Sequence, residues 1–127
     1  MEESTVEERK ARGARTQSSF RNENERVRYI NQEFSSLVPL GDWVCECADT
    51  ECSERIALSF DDYEAVRSNP RRFAVAPGEH HFVSELERLV GRFDRYWTVE
   101  KYGLAGEVAA AVDPRTIGLL GARSSSV

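Results

Sequence analysis

The sequence predicts an α+β fold: an N-terminal helix followed by a small zinc-knuckle domain with short strands and one or two short helices. Three observations predict it. A stripe of apolar residues at three-four spacing runs from Phe20 to Leu37. Three cysteines crowd into Cys45-Glu46-Cys47-Ala48-Asp49-Thr50-Glu51-Cys52. Short runs rich in β-branched and aromatic residues, Arg72–Ala76 and Tyr96–Lys101, lie between turn signals.

The chain has 127 residues, which suits one domain with tails. Residues 1–18 are polar, with a Thr16-Gln17-Ser18-Ser19 stretch, and read as a disordered tail or frayed helix. The domain is expected over 19–115, and a small-residue tail over 116–127 is expected to be disordered. Phe20, Val27, Ile30, Phe34 and Leu37 fall on one face of the first helix, with Ser19 as its cap and Pro39 as its stop. The stripe spans fewer than three heptads, which favours a monomer whose helix packs on its own domain. A dimer through the Phe20–Leu37 helix is the alternative.

Two short alternating runs flank the polar turn Ala48–Glu51 and read as a hairpin or knuckle. Ser59-Phe60-Asp61-Asp62 resembles a capping box, starting a helix over 60–68 that Asn69-Pro70 ends. Within it, Glu64 and Arg67 are spaced to pair on the surface. Arg67, Arg71 and Arg72 could make a local basic patch, although such a cluster is more often a solvated face. Phe82, Leu86, Leu89, Val90 and Phe93 suit a helix or an irregular segment to about Val90. A terminal helix is expected around Glu107–Val112, with Asp113-Pro114 after it.

Net charge is −5, and residues 43–102, around the knuckle, hold 12 acids against 8 bases. That balance repels phosphate backbones, so the chain is not expected to bind nucleic acid alone. No apolar run reaches the length of a membrane span, and Met1–Arg15 lacks the apolar stretch of a signal peptide. A reducing, cytoplasmic setting is expected, where three closely spaced cysteines point to metal rather than to a disulfide framework.

Residues i and i+2 of a strand share a face, so Cys45 and Cys47 project together, and a turn over Ala48–Glu51 can return Cys52 to the same point. Zinc takes four such ligands in a tetrahedron. Three thiolates leave one place, and the histidines His80 and His81, just after the Pro77-Gly78 turn, are the candidates for it. Inert core thiols fit poorly among Glu46, Asp49, Glu51 and Glu54. A C-x-C redox pair lacks a thioredoxin-like context, and an iron–sulfur cluster wants four cysteines.

A set of three cysteines and one histidine is closed, which argues for structural zinc and against an enzyme; Ser-His-Asp, P-loop and dinucleotide patterns are absent from the sequence. The expected role is a non-enzymatic zinc-binding module, serving protein interaction or regulation through a protein partner. The alternatives are a nucleic-acid-associated zinc protein acting within a complex, and a thiol redox sensor.

The helix Phe20–Leu37, the knuckle Val44–Asp49 with Cys52, the segment Tyr63–Arg67, the run Arg72–Gly78, Val99-Glu100-Lys101 and Asp113-Pro114-Arg115 together resemble a family of uncharacterised small proteins from high-GC bacteria. The resemblance covers roughly residues 18–115. It implies a histidine directly after Pro-Gly; here Glu79 and His80 intervene, and treating them as an insertion puts His81 in that position. It therefore favours His81 over His80 as the fourth ligand, and it implies no activity.

Overall fold

The computed structural model describes residues 5–116. Helix α1 (Val6–Glu33) is followed by strands β1 (Gly41–Val44) and β2 (Arg55–Leu58), helix α2 (Phe60–Arg67) and strand β3 (Arg72–Val75). Strands β4 (Glu87–Arg92) and β5 (Trp97–Lys101) and helix α3 (Gly103–Ala111) complete the order. This is the expected α+β class. Of the expected C-terminal tail, 116–127, all but Thr116 lies outside the described residues.

The N-terminal boundary is corrected. The helix starts at Val6, not near Phe20, and Thr5 caps it by accepting the Glu8 amide at 3.0 Å. Glu7 and Glu8 in the first turn complement the helix dipole. Residues expected to form a tail are packed: Gly13, Ala14, Gln17 and Ser18 are buried. The buried face continues through Arg21 and Asn24. It carries small and polar side chains, so hydrophobic periodicity does not reveal it. An ideal Cβ on Gly13 would stand 2.6 Å from Leu86 Cδ1, so glycine permits that close approach. Ala14, Leu86 and Ala105 form a small second core there.

Polar contacts replace apolar ones along this face. Asn24 donates to the Val44 carbonyl and accepts the Val44 amide, both at 2.9 Å. Gln17 donates to the Glu46 carbonyl at 3.0 Å. Fully buried Arg21 donates to the carbonyls of Pro70 (2.7 Å) and Ala109 (2.9 Å), and its guanidinium lies over the Phe73 ring. Burial lowers the Arg21 pKa from its ordinary value. The expected apolar stripe is not the packed face: Ile30, Phe34 and Leu37 are exposed. α1 also ends at Glu33, well before Pro39.

β1 and β2 form the expected antiparallel hairpin, with Trp43 opposite Ile56. Ser59 caps α2 by accepting the Asp62 amide at 3.0 Å. The second sheet has the order β3-β5-β4, all antiparallel. The helix or irregular segment expected to about Val90 is irregular over 82–86 and is corrected to a strand, β4, from Glu87. Its ladder on β5 shifts register between Leu89 and Gly91. That bulge breaks the two-residue alternation, which is why the sequence mimics helical spacing here. The main core joins Trp43, stacked on Tyr63 at 4.0 Å, to Leu58, Phe73, Val75 and Val99.

The pairing of Glu64 with Arg67 is corrected as well. The two enter one alternating ionic chain: Arg28–Glu64 (2.6 Å), Glu64–Arg115 (2.5 Å), Arg115–Glu25 (2.5 Å), Glu25–Arg67 (3.4 Å) and Arg67–Asp113 (2.5 Å). It joins α1, α2 and the segment after α3. Arg67 is buried in it, so no surface patch of Arg67, Arg71 and Arg72 forms.

Candidate metal centre

The hairpin places the first two cysteines. The ladder continues past β1 through the Cys45 amide, which donates to the Glu54 carbonyl at 3.0 Å. The next amide, of Glu46, donates across to the Ala74 carbonyl of β3 at 2.9 Å. This extended segment puts Cys45 and Cys47 on one side and Glu46 on the other. Asp49 closes the return turn: its carboxylate accepts the Glu51 amide at 2.9 Å and its carbonyl accepts the Cys52 amide at 3.1 Å.

The histidine comes from a second turn. Gly78 adopts φ 130°, a conformation that disfavours any side chain. A single 3-10 turn, Glu79–His81, follows it. Successive residues there diverge: His81 is buried and His80 is exposed. The ligand atoms of Cys45, Cys47, Cys52 and His81 all lie within 4.8 Å of one another. His80 is not in this group. It tilts against the His81 ring at 4.1 Å and shares with Glu54 and His81 only a second, more exposed grouping.

The spacing matches a tetrahedral site of three sulfurs and one nitrogen. With Zn–S near ~2.3 Å and Zn–N near ~2.0 Å, sulfur-to-nitrogen edges come to about 3.5 Å. His81 Nδ1 lies 3.5 Å from Cys45 Sγ and 3.9 Å from Cys52 Sγ. The Ala76 amide also donates to Cys45 Sγ at 3.1 Å. An amide aimed at a sulfur suits a thiolate, which is the metal-binding form. The donor set therefore fits a metal ion that accepts sulfur and imidazole.

Within the cluster the thiols act on one another's proton affinity. Cys47 is pulled down to about 5, first by the hydrogen bond from Cys45 and also by His81 and the Asp49 amide. Cys45 is pushed up, first by that same bond and then by burial, and Cys52 is pushed up by burial.

Around the cluster lie groups that the sequence pattern does not single out. His81 places its other nitrogen, Nε2, beside the Glu54 carboxylate, while Nδ1 faces the cysteine sulfurs. Glu46, read from sequence as unfit for a core, is fully buried. Its carboxylate accepts Asn24 Nδ2 (2.8 Å), the Tyr63 hydroxyl (2.8 Å) and the Ala74 amide (2.9 Å). Burial raises its pKa, against which these donors act. Strand alternation between the two cysteines was the signal for this inward placement.

A second buried carboxylate, Glu87, pairs with fully buried Lys101 at 2.9 Å. It also accepts Gln17 Nε2 at 3.1 Å and the Val83 amide at 3.0 Å. Burial lowers the Lys101 pKa, while Glu87 and the nearby Cys47 act to raise it. Nothing in the sequence spacing relates Lys101 to the cysteines; β5 brings it there.

Among the described residues no helix is long and apolar enough to cross a membrane. No family model, curated protein or solved structure matches the chain.

Proposed function

We propose that the chain is a non-enzymatic structural zinc protein, in which Cys45, Cys47, Cys52 and His81 hold one zinc ion and the closed site stabilises a small protein-interaction domain. The single observation that carries this reading is the convergence of three sulfurs and His81 Nδ1 within 4.8 Å. Zinc is preferred because it combines thiolate and imidazole ligands in a tetrahedron without a redox partner. Four protein ligands leave no open position for water, so the ion acts on stability rather than on a substrate. It would tie the knuckle to the turn at Gly78–His81, a distant segment of the chain.

The test is elemental analysis and native mass spectrometry of protein purified without added metal. One zinc per chain, with all three thiols protected from alkylation until a chelator is added, is the expected result. A folded, metal-free protein whose thiols react freely and which takes up no zinc on titration would end this reading.

A further inference from the structure

On the outer side of the His81 ring lies a second convergence of metal-ligating side chains. Glu54, His80 and His81 each bring a ligand atom within 4.8 Å of the other two. Glu54 is held there by its backbone, whose carbonyl accepts the Cys45 amide at 3.0 Å. The 3-10 turn is closed by the His81 amide on the Gly78 carbonyl at 3.1 Å, and it tilts the exposed His80 ring against the buried His81 ring. Gly78 makes room for this: an ideal Cβ there would stand 3.0 Å from His80 Cε1 and 3.3 Å from its Nδ1.

We propose that Glu54, His80 and His81 Nε2 bind a second divalent cation, with the His81 ring bridging it to the ion on the cysteines. The bridge rests on the zinc reading of Cys45, Cys47, Cys52 and His81 given above. The buried nitrogen is the first argument. His81 is 4% exposed, and its Nε2 is shut off from solvent and makes no hydrogen bond. The Glu54 carboxylate lies beside it without completing one. A buried polar atom left in this way is costly, and a cation bound to it removes the cost. The cation takes the place of the Nε2 proton, which leaves to water, so each ring nitrogen then carries one ion.

The donor set and the local charge are the second argument. Two imidazoles and a carboxylate suit zinc, cobalt or copper rather than magnesium or calcium. Three thiolates around a divalent ion leave that centre with a net charge of about −1, and Glu54 adds to it. A second dication is therefore drawn to the outer side of the ring. Glu54 and His80 are exposed, and three protein ligands leave a coordination position open to water. The second ion accordingly binds more weakly than the first and exchanges with solvent, so protein purified without added metal holds the first ion alone.

Cobalt(II) added to the full chain as purified tests the proposal, followed by native mass spectrometry and absorption. The expected result is one zinc retained and one cobalt bound, with the weak bands of a nitrogen-and-oxygen site and no sulfur-to-cobalt charge-transfer band. Even a residue that only supports a metal ligand is worth about 10–100-fold in affinity. His80→Ala and Glu54→Gln should therefore each weaken cobalt binding at least about tenfold while zinc stays in place. Glu79→Gln, next to His80 and outside the grouping, should bind cobalt like the parent. A zinc-loaded chain that takes up no cobalt overturns the second site and leaves the cysteine site standing. So does cobalt that binds equally well in both ligand variants, an adventitious ion only, and so does cobalt that displaces the zinc and shows the sulfur band. A chain that holds no zinc and develops no sulfur-to-cobalt band removes the cysteine site, and the bridge with it.

Discussion

The cysteine–histidine cluster and the Arg–carboxylate chain both tie together segments far apart in sequence. The cluster joins residues 45–52 to His81. The ionic chain joins Glu25 and Arg28 of α1, Glu64 and Arg67 of α2, and Asp113 and Arg115. Their chemistry differs in how many partners each needs at once. The proposed metal would organise four ligands around one point, so losing one ligand undermines the others. The ionic chain is a series of pairwise contacts with graded burial, so its members should differ in worth.

The largest expected effect is on the metal side. Structural zinc contributes on the order of 10 kcal/mol to folding of small sites at neutral pH. Cys47→Ser and His81→Ala should therefore lose zinc and melt far below the parent. His80→Ala should keep zinc and melt like the parent, because its imidazole lies outside the group of three sulfurs and one nitrogen. Metal content and melting of the three variants side by side check this. Zinc loss in His80→Ala with retention in His81→Ala would exchange the roles of the two rings.

Next comes the buried end of the ionic chain. Arg67 and Asp113 are fully or almost fully buried, and Asp113 accepts two bonds from the guanidinium, at 2.5 and 3.3 Å. Burial by itself would raise the Asp113 pKa, but the hydrogen bonds from Arg67 hold it below the usual range. Asp113→Ala leaves a buried cation without its main partner and should cost about 3–5 kcal/mol in denaturant unfolding. A loss under about 1 kcal/mol, the range of surface pairs, would show that the chain is ornamental to stability.

Glu64, partly buried, sharpens the comparison through pH. Hydrogen bonds from Arg28, and then Arg115, pull its carboxyl down to about 2. A depressed folded-state pKa gives stability that is complete above the unfolded value near ~4.3 and is lost as pH falls toward about 2. Glu64→Gln should cost on the order of 2 kcal/mol at about pH 6, and the gap to the parent should close by about pH 2. Acid also protonates thiolates in both proteins, so the difference between the two melting curves isolates Glu64. A gap that stays constant across that acid range would refute the assignment.

The smallest effect concerns Glu54, which supports the proposed site only through His81. Glu54→Gln should weaken zinc affinity about tenfold in competition with a chromophoric chelator while the loaded protein melts almost unchanged. Equal chelator competition for parent and variant would remove Glu54 from the metal's support.

Legibility followed the same divide. Cys45, Cys47 and Cys52 were readable because their spacing is local: a strand and a four-residue turn suffice to converge them. Ser59 as a cap and the strands at Arg72 and Tyr96 were readable for the same reason. β4 was not, because a bulge at Val90 imitates helical spacing and only pairing with β5 decides the matter. The choice between His80 and His81 was open to the residues alone, and the Gly78 turn decides which ring points inward.

By itself, then, the sequence determined the α+β class, the knuckle, its three sulfurs and the short-range caps, since these depend on alternation and on neighbours a few residues apart. Only the tertiary structure decided where α1 begins and which face it buries. Gln17, Arg21 and Asn24 gain their place from carbonyls and amides supplied by Val44, Glu46, Pro70 and Ala109. Hydrogen-bonded burial of this kind leaves no hydrophobic period in a sequence, because the partner that satisfies each polar group comes from another part of the chain.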